Sequence, residues 1–267
     1  MTLNNYIIGS LPELTYNNEI VWDINEFLEE YSNVLIPFEY EISLILLLNE
    51  IRNIELILKS QVEKTELDSQ HFFVPNILKR SEVEQFLERP FICQPDEYPV
   101  FMLEFFEEYA ETKERYERID ELYIRYYLYL ESHEIPFFRF FGRVSATLKT
   151  VVSALRLINS KKPLEGNLKG DSNIVSVIME HRTTADLGLK IIFPEVADII
   201  ALFDKQTIDR EKEVDRIHFA LLEEVGQESP FADHVIFAYI IGLLIRDRWN
   251  KTSQQAGVEF LDRIIKS

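Results

Sequence analysis

Apolar and polar positions follow the period of a helix through most of this chain of 267 residues. From about Ile20 to Tyr31, Ile24, Phe27 and Leu28 share one side while Asp23, Glu26, Glu29 and Glu30 share the other, which predicts an amphipathic helix. Asn33 and Pro37 punctuate, and Pro37 suits the first turn of a further helix, where its missing N–H is not needed. That helix is expected over Pro37–Gln61. Its middle, Ile42 to Leu48, is apolar nearly all round and so predicts burial among several neighbours, before Ile51, Ile54, Ile57 and Leu58 make it amphipathic. Glu63–Gln70 reads as a polar loop, Pro75–Leu87 as a shorter helix, and Pro90, Pro95 and Pro99 as a break.

The strongest helical signal is Glu97–Ser132, where Phe101, Phe105, Tyr109, Tyr116, Ile119, Tyr123, Tyr126 and Leu130 line up as one stripe. At 1.5 Å per residue this predicts a continuous rod of roughly 50 Å. Glu107, Glu108, Glu111, Lys113, Glu114, Arg115, Glu117 and Arg118 would form its solvated face, with Glu111–Arg115 and Glu114–Arg118 at the favourable spacing for ion pairs. Asp120 and Glu121 read as part of the same wet surface, and Tyr126, Tyr127 and Tyr129 as core and subunit contact rather than a cofactor box. After Ile135, the segment Pro136–Asn159 is expected to run back antiparallel, with Phe140, Val144, Leu148, Val151, Val152, Leu155 and Ile158 inside and Arg139, Arg143, Lys149 and Arg156 outside. The loop from Lys161 to Gly170 marks a boundary, and shorter helices are expected over 171–181, 186–189, 194–203, 207–225, 230–250 and 253–266.

Only Tyr6–Pro12 reads as extended, as a short N-terminal arm. The expected fold class is therefore all-α, an elongated bundle of long antiparallel helices with room for two similar helical subdomains. The first, over 1–162, is acidic and carries the long hairpin; the second spans 163–267 and packs with it as one body.

Composition narrows this further. With 8 Gly and 10 Pro the chain lacks the turn residues that a β-sandwich of this size needs, while 46% apolar and 28% charged residues suit an ordinary globular protein. The net charge of −18 is unevenly placed: residues 1–135 hold 10 basic and 28 acidic side chains, and residues 136–267 hold 18 of each. Such a balance argues against nucleic acid as a main ligand, since phosphates would be repelled. Pro136–Gly170 inverts the trend, with seven basic residues and one acidic, Glu165. Its positions Arg139, Arg143, Lys149, Arg156, Lys161 and Lys162 read either as a solvated helix face or as a docking surface for an acidic partner or anionic headgroups.

A single cysteine, Cys93, rules out an intrachain disulfide and fits a reducing compartment. Met1–Ser10 lacks the basic start and apolar stretch of a secretory signal. The longest apolar run, Val235 to Ile245, falls short of the roughly 20 residues needed to cross a bilayer, so no membrane insertion is expected.

Chemistry has little to work with. The chain contains neither G-x-G-x-x-G nor G-x-x-x-x-G-K for phosphate, and no G-x-S-x-G around a nucleophile. A carboxylate-bridged di-metal bundle needs two Glu-x-x-His turns, whereas Asp215-x-x-His218 occurs once and Glu180–His181 are adjacent. No catalytic residue, cofactor or metal is expected. A helical metalloenzyme built on Asp215 and His218 is the third-ranked reading, behind two non-catalytic ones.

Several stretches resemble a known family. These are Asn5–Leu14, Asp209–Ile217 and above all Ser229–Asn250, with its Ser-Pro-Phe-Ala-Asp-His start and Arg-Asp-Arg-Trp-Asn end. They resemble a bacterial family of unknown function that is encoded alongside V/A-type ATPases and is similar to their central-stalk C (or d) subunit. Asn49–Lys59 is similar to the C-subunit pattern of an acid and an Asn-Ile pair before an apolar turn and a basic residue, although Arg52 stands where that pattern has Asp. C subunits are also longer, with three similar helical subdomains. The resemblance implies a non-catalytic helical cap that joins the central stalk to the membrane rotor ring and transmits torque for ion transport or ATP synthesis. Its partners would be ATPase central-stalk and rotor-ring subunits, and its place the cytoplasmic face of the cell membrane. Arg246, Arg248 and Trp249, within the strongest match, join the six basic positions as candidate docking residues. The alternative is a helical adaptor or regulatory module unrelated to the ATPase, using the Glu97–Ser132 helix as its contact arm.

Overall fold

The computed structural model describes residues 8–16, 22–68, 71–201, 203, 207–228 and 233–265, with the backbone alone described for 207–210, 225–228 and 252–265. Twelve α-helices are described: α1 Ile24–Glu30, α2 Ser32–Leu35, α3 Glu39–Glu63, α4 Arg80–Glu88, α5 Val100–Glu108, α6 Thr112–Glu117, α7 Ile119–Glu131, α8 Pro136–Asn159, α9 Ser172–Glu180, α10 Val196–Ala201, α11 Thr207–Glu228 and α12 His234–Ile265. No strand occurs among the described residues, so the fold class is all-α. Within the expected extended arm, Ile8–Ser10 form a helical turn, and Tyr6 and Ile7 lie outside the described residues.

Local chemistry explains where several helices begin. Asp23 caps α1 by accepting from the N–H groups of Asn25 and Glu26, while Glu26 accepts from the Asp23 N–H at 3.0 Å, a complete capping box. Pro37 does not open α3 itself: it lies within a 3-10 turn, Ile36–Phe38, and α3 starts after that turn at Glu39. Pro136 opens α8 at the expected residue. Two expected C-terminal helices, 230–250 and 253–266, are one continuous α12, and 186–189 is a turn rather than a helix.

The described chain divides into two compact units, neither of them continuous in sequence. The first comprises residues 1–50, 68–77 and 218–267; the second comprises 51–67 and 78–217. The expected boundary at 162/163 therefore lies inside the second unit. In the first unit, Phe27 packs between Tyr31 at 5.0 Å and Tyr239 at 5.2 Å, and Phe38 meets Phe237 edge-on at 5.5 Å. Ile236, Ile240, Ile241 and Leu244 of α12 are buried here, which is where the apolar run of the sequence goes. A polar anchor holds the 68–77 loop: the fully buried Asn49 amide donates to the Pro75 carbonyl at 3.0 Å, and buried Glu50 accepts from the Ile77 N–H at 3.1 Å.

In the second unit α7 and α8 form an antiparallel hairpin joined by residues 132–135 and are its most extensively packed pair. They approach so closely at Gly142 that a Cβ there would lie 2.4 Å from both the Glu131 nitrogen and the Tyr127 carbonyl oxygen. Buried Ser145 and Ala146, also small, continue the contact surface of α8.

The expected rod over Glu97–Ser132 is three helices. The chain leaves the helical path at Tyr109, which caps α5 in an extended conformation (φ −106°, ψ 100°), and turns again at Arg118 before α7. Arg115 explains how the break is sustained. It is not on a solvated face but 4% exposed, and its guanidinium donates to the carbonyls of Tyr109, Ala110 and Leu87, each at 2.8 Å. One side chain thus satisfies backbone acceptors released where the helix ends, and ties α6 to the end of α4. The aromatic stripe then packs locally: Phe86 meets Phe106 at 4.9 Å, and Phe105 meets Tyr109 at 5.1 Å.

Two variants test these features. R115M keeps the apolar stem and removes the donors, leaving three carbonyls unsatisfied; a loss of about 3 kcal/mol in urea unfolding is expected. G142A forces α7 and α8 apart and is expected to cost about 2 kcal/mol, read as a melting temperature lower by several degrees. Unchanged unfolding midpoints would contradict both accounts.

Candidate docking surface

Of the nine candidate docking residues, six lie in the second unit and three, Arg246, Arg248 and Trp249, in the first. Arg139 and Arg143, one turn apart, are exposed near the start of α8. Lys161 and Lys162 are exposed just beyond its end, about 33 Å along the axis at 1.5 Å per residue. A Schellman-type stop holds this second pair: Lys161 adopts φ 54°, its N–H donates to the Ile158 carbonyl at 3.0 Å, and the Lys162 N–H donates to the Leu157 carbonyl at 2.9 Å.

Between these ends the two remaining cations of α8 are partly exposed and are turned toward α7. Lys149 and Arg156 are seven residues apart, two turns on one face, and both bind Asp120 of α7, at 2.7 Å and 2.8 Å. The hydroxyl of Ser153 lies 3.4 Å from the same carboxylate, and Arg156 also faces Glu211 of α11 at 3.7 Å. The Lys149 ammonium sits 4.5 Å over the Tyr123 ring, whose hydroxyl donates to Glu55 of α3 at 2.7 Å. Burial works against the Asp120 charge, but Lys149 and Arg156 outweigh it and hold the carboxyl well below the usual carboxylate range. Burial likewise opposes the Arg156 charge, and Asp120, with Glu211 and Glu55, overcomes it and raises that pKa.

A second polar cluster lies at the junction of α5 and α7. Glu121, expected on a wet surface, is 7% exposed; it accepts from the Tyr109 hydroxyl at 2.6 Å and from Arg125 at 2.6 Å. Arg125 also binds Glu108 and lies over the Phe105 ring at 5.7 Å. Burial, reinforced by the hydrogen bond to Glu121, pushes the Tyr109 phenol far up, so it stays a donor. The hydrogen bond from Arg125 draws the Glu108 carboxyl down against the effect of burial.

In the first unit Arg246 is 9% exposed and donates to the Thr15 carbonyl, so it tethers the N-terminal segment rather than facing a partner. Arg248 and Trp249 are partly exposed, the guanidinium 5.2 Å from the indole centre. This unit also has an open, acidic concavity lined by Trp22, Glu26, Glu29, Glu30, Ser32 and Asn33. Asp215 and His218 are both buried on α11, and Cys93 is partly exposed in the turn after α4. Among the described residues, no group of three or more His, Cys, Asp or Glu side chains is placed to hold a metal ion. Nor is any described helix long and apolar enough to cross a membrane.

Asp120 was legible in one respect only. The two-turn spacing of Lys149 and Arg156 puts both on one face of α8, and an antiparallel partner must bring some residue opposite them. The carboxylate that does so becomes evident only from the α7–α8 register. Because its folded pKa is depressed, Asp120 contributes stability that is complete above its unfolded value of about 3.9 and is lost as pH falls toward the folded value. D120N is therefore expected to lose about 2 kcal/mol near neutral pH, with the gap to wild type closing progressively below about pH 4. Urea unfolding across that range checks this, and a gap that persists at the acid end contradicts it.

No curated protein and no solved structure matches the chain. One family model does, over residues 1–267, and its description is Protein of unknown function (DUF2764). Because that match takes in every residue, the chain belongs to the DUF2764 family.

Proposed function

We propose that this chain is a non-catalytic, C/d-like helical subunit of a V/A-type ATPase that links the central stalk to the membrane rotor ring and transmits torque between them. The sequence resemblance supplies the partner. The observation that carries the docking role is the display of exposed cations at both ends of one helix, Arg139 and Arg143 at the start of α8 and Lys161 and Lys162 beyond its end. A torque-bearing link needs rigid spacing between contact points, which a helix of 24 residues closed by a hydrogen-bonded stop supplies. Lys149 and Arg156 are engaged by Asp120 and Arg246 by the Thr15 carbonyl, so in this reading these three are not contact residues. The chain would lie peripherally on the cytoplasmic membrane face, held by protein partners.

The adaptor alternative relies on a single long arm from Glu97 to Ser132. That segment is three helices, so the arm has no counterpart among the described residues.

Binding to purified central-stalk and rotor-ring subunits tests the proposal. The wild-type chain is expected to co-purify with one or both, and R139E/R143E or K161E/K162E to weaken that binding about tenfold, with no change in melting temperature because all four side chains are exposed. In membranes lacking the chain, ATP hydrolysis is expected to uncouple from ion transport. Coupling that survives the deletion, or wild-type protein that binds neither component, rejects the assignment.

A further inference from the structure

The turn after α4 displays two large apolar side chains that its own packing does not use. Phe91 is 63% and Ile92 79% exposed, while Pro90 and Tyr98 on either side are buried. The turn is not a loose loop. The N–H groups of Ile92 and Cys93 both donate to the Arg89 carbonyl at 3.0 Å, the Tyr98 N–H donates to the Pro95 carbonyl at 3.2 Å, and the Tyr98 ring packs edge-on against Phe86 at 5.2 Å. Val100, 66% exposed, follows as the first residue of α5. Presenting apolar side chains on a hydrogen-bonded, anchored turn removes the ordering cost that a flexible loop would carry into binding.

The surroundings of this turn are acidic. Glu88, Asp96 and Glu97 are exposed beside it, and the Gln94 side chain donates to Glu107 at 3.1 Å, bringing a fourth carboxylate alongside. Arg89 is the one cation between residues 88 and 100. An apolar tip flanked along the chain by exposed carboxylates suits the centre of an interface with a charged rim. It is unsuited to an anionic bilayer, which would repel both these carboxylates and a chain of net charge −18.

We propose that the Phe91–Ile92 turn is a docking knob for a protein partner that offers an apolar pocket rimmed by lysine or arginine. The inference is independent of the ATPase assignment, which rests on the cations of α8. A second exposed pair provides an internal comparison: Ile191, 95% exposed, and Ile192 occupy a similar turn, with the N–H groups of Ile192 and Phe193 on the Leu189 carbonyl, next to Lys190 and with Glu195 and Asp198 following, against Glu88, Asp96, Glu97 and Glu107 near the Phe91 turn.

The full-length chain carrying photoreactive benzoylphenylalanine at position 91, 92 or, as comparison, 191 is irradiated in cells of the organism that encodes it, and the adducts are identified by mass spectrometry. A discrete protein adduct is expected from 91 and 92 and not from 191. That protein, purified, is expected to bind F91S/I92S at least tenfold more weakly than wild type, to bind I191S/I192S as well as wild type, and to bind less tightly as salt is raised. Since Phe91 and Ile92 are exposed, F91S/I92S is expected to keep the wild-type melting temperature, which separates lost docking from lost folding. Adducts only to lipid or to a second copy of this chain, no adduct at 91 or 92, or equal binding by F91S/I92S would each overturn the proposal. A partner other than an ATPase subunit would leave the knob standing and count against the assignment above.

Discussion

The close approach of α7 and α8 is the constraint on which the second unit depends. Gly142 lets the two backbones meet where any side chain would strike the Tyr127 carbonyl and the Glu131 nitrogen. The antiparallel register set there places Asp120 opposite Lys149, Ser153 and Arg156, and Tyr123 beneath the Lys149 ammonium. Charges drawn partly out of water in this way are tolerable only when their partners arrive with them. Packing at one end of the hairpin and ion pairing at the other are thus consequences of the same register.

The break between α5 and α7 illustrates a competition between local and tertiary energetics. The stripe from Phe101 to Leu130 has helical spacing throughout, and nothing in the local sequence forbids a single rod. A rod, however, would leave Arg115 on the outside and could not bring the ends of α4 and α5 together. Folding back lets Phe86, Phe105, Phe106 and Tyr109 pack as one aromatic group, with the Arg115 guanidinium 5.6 Å from the Phe106 ring centre and bonded to three carbonyls. The hydrogen bonds lost at the break are replaced rather than forfeited, and the apolar surface gained favours the bent path.

The same logic redistributes the charges of the chain. Part of the acidic excess of residues 1–135 and part of the basic stretch that follows are paired inside the second unit, where Asp120 meets Lys149 and Arg156, and Glu108 and Glu121 meet Arg125. Among the charges that stay on display are paired cations at the two ends of α8, carboxylates around Trp22, and the carboxylates near the Phe91–Ile92 turn.

Hydrophobic periodicity by itself determined that the chain is all-α, that Ile42–Leu48 and Val235–Ile245 are largely interior, and that Pro136–Asn159 is a helix antiparallel to the one before it. These follow from repeat spacing and from proline, which act over a few residues. The capping box at Asp23 and Glu26 was equally local, though it moved the start of α1 inward. Only the tertiary structure decided that α12 is continuous, that the units interleave in sequence, that Arg115 and Glu121 are buried, and which cations of α8 are consumed by Asp120. Each of these depends on which distant acceptor or carboxylate is brought within about 3 Å, a distance set by backbone approach at sites such as Gly142 and by no pattern along the chain.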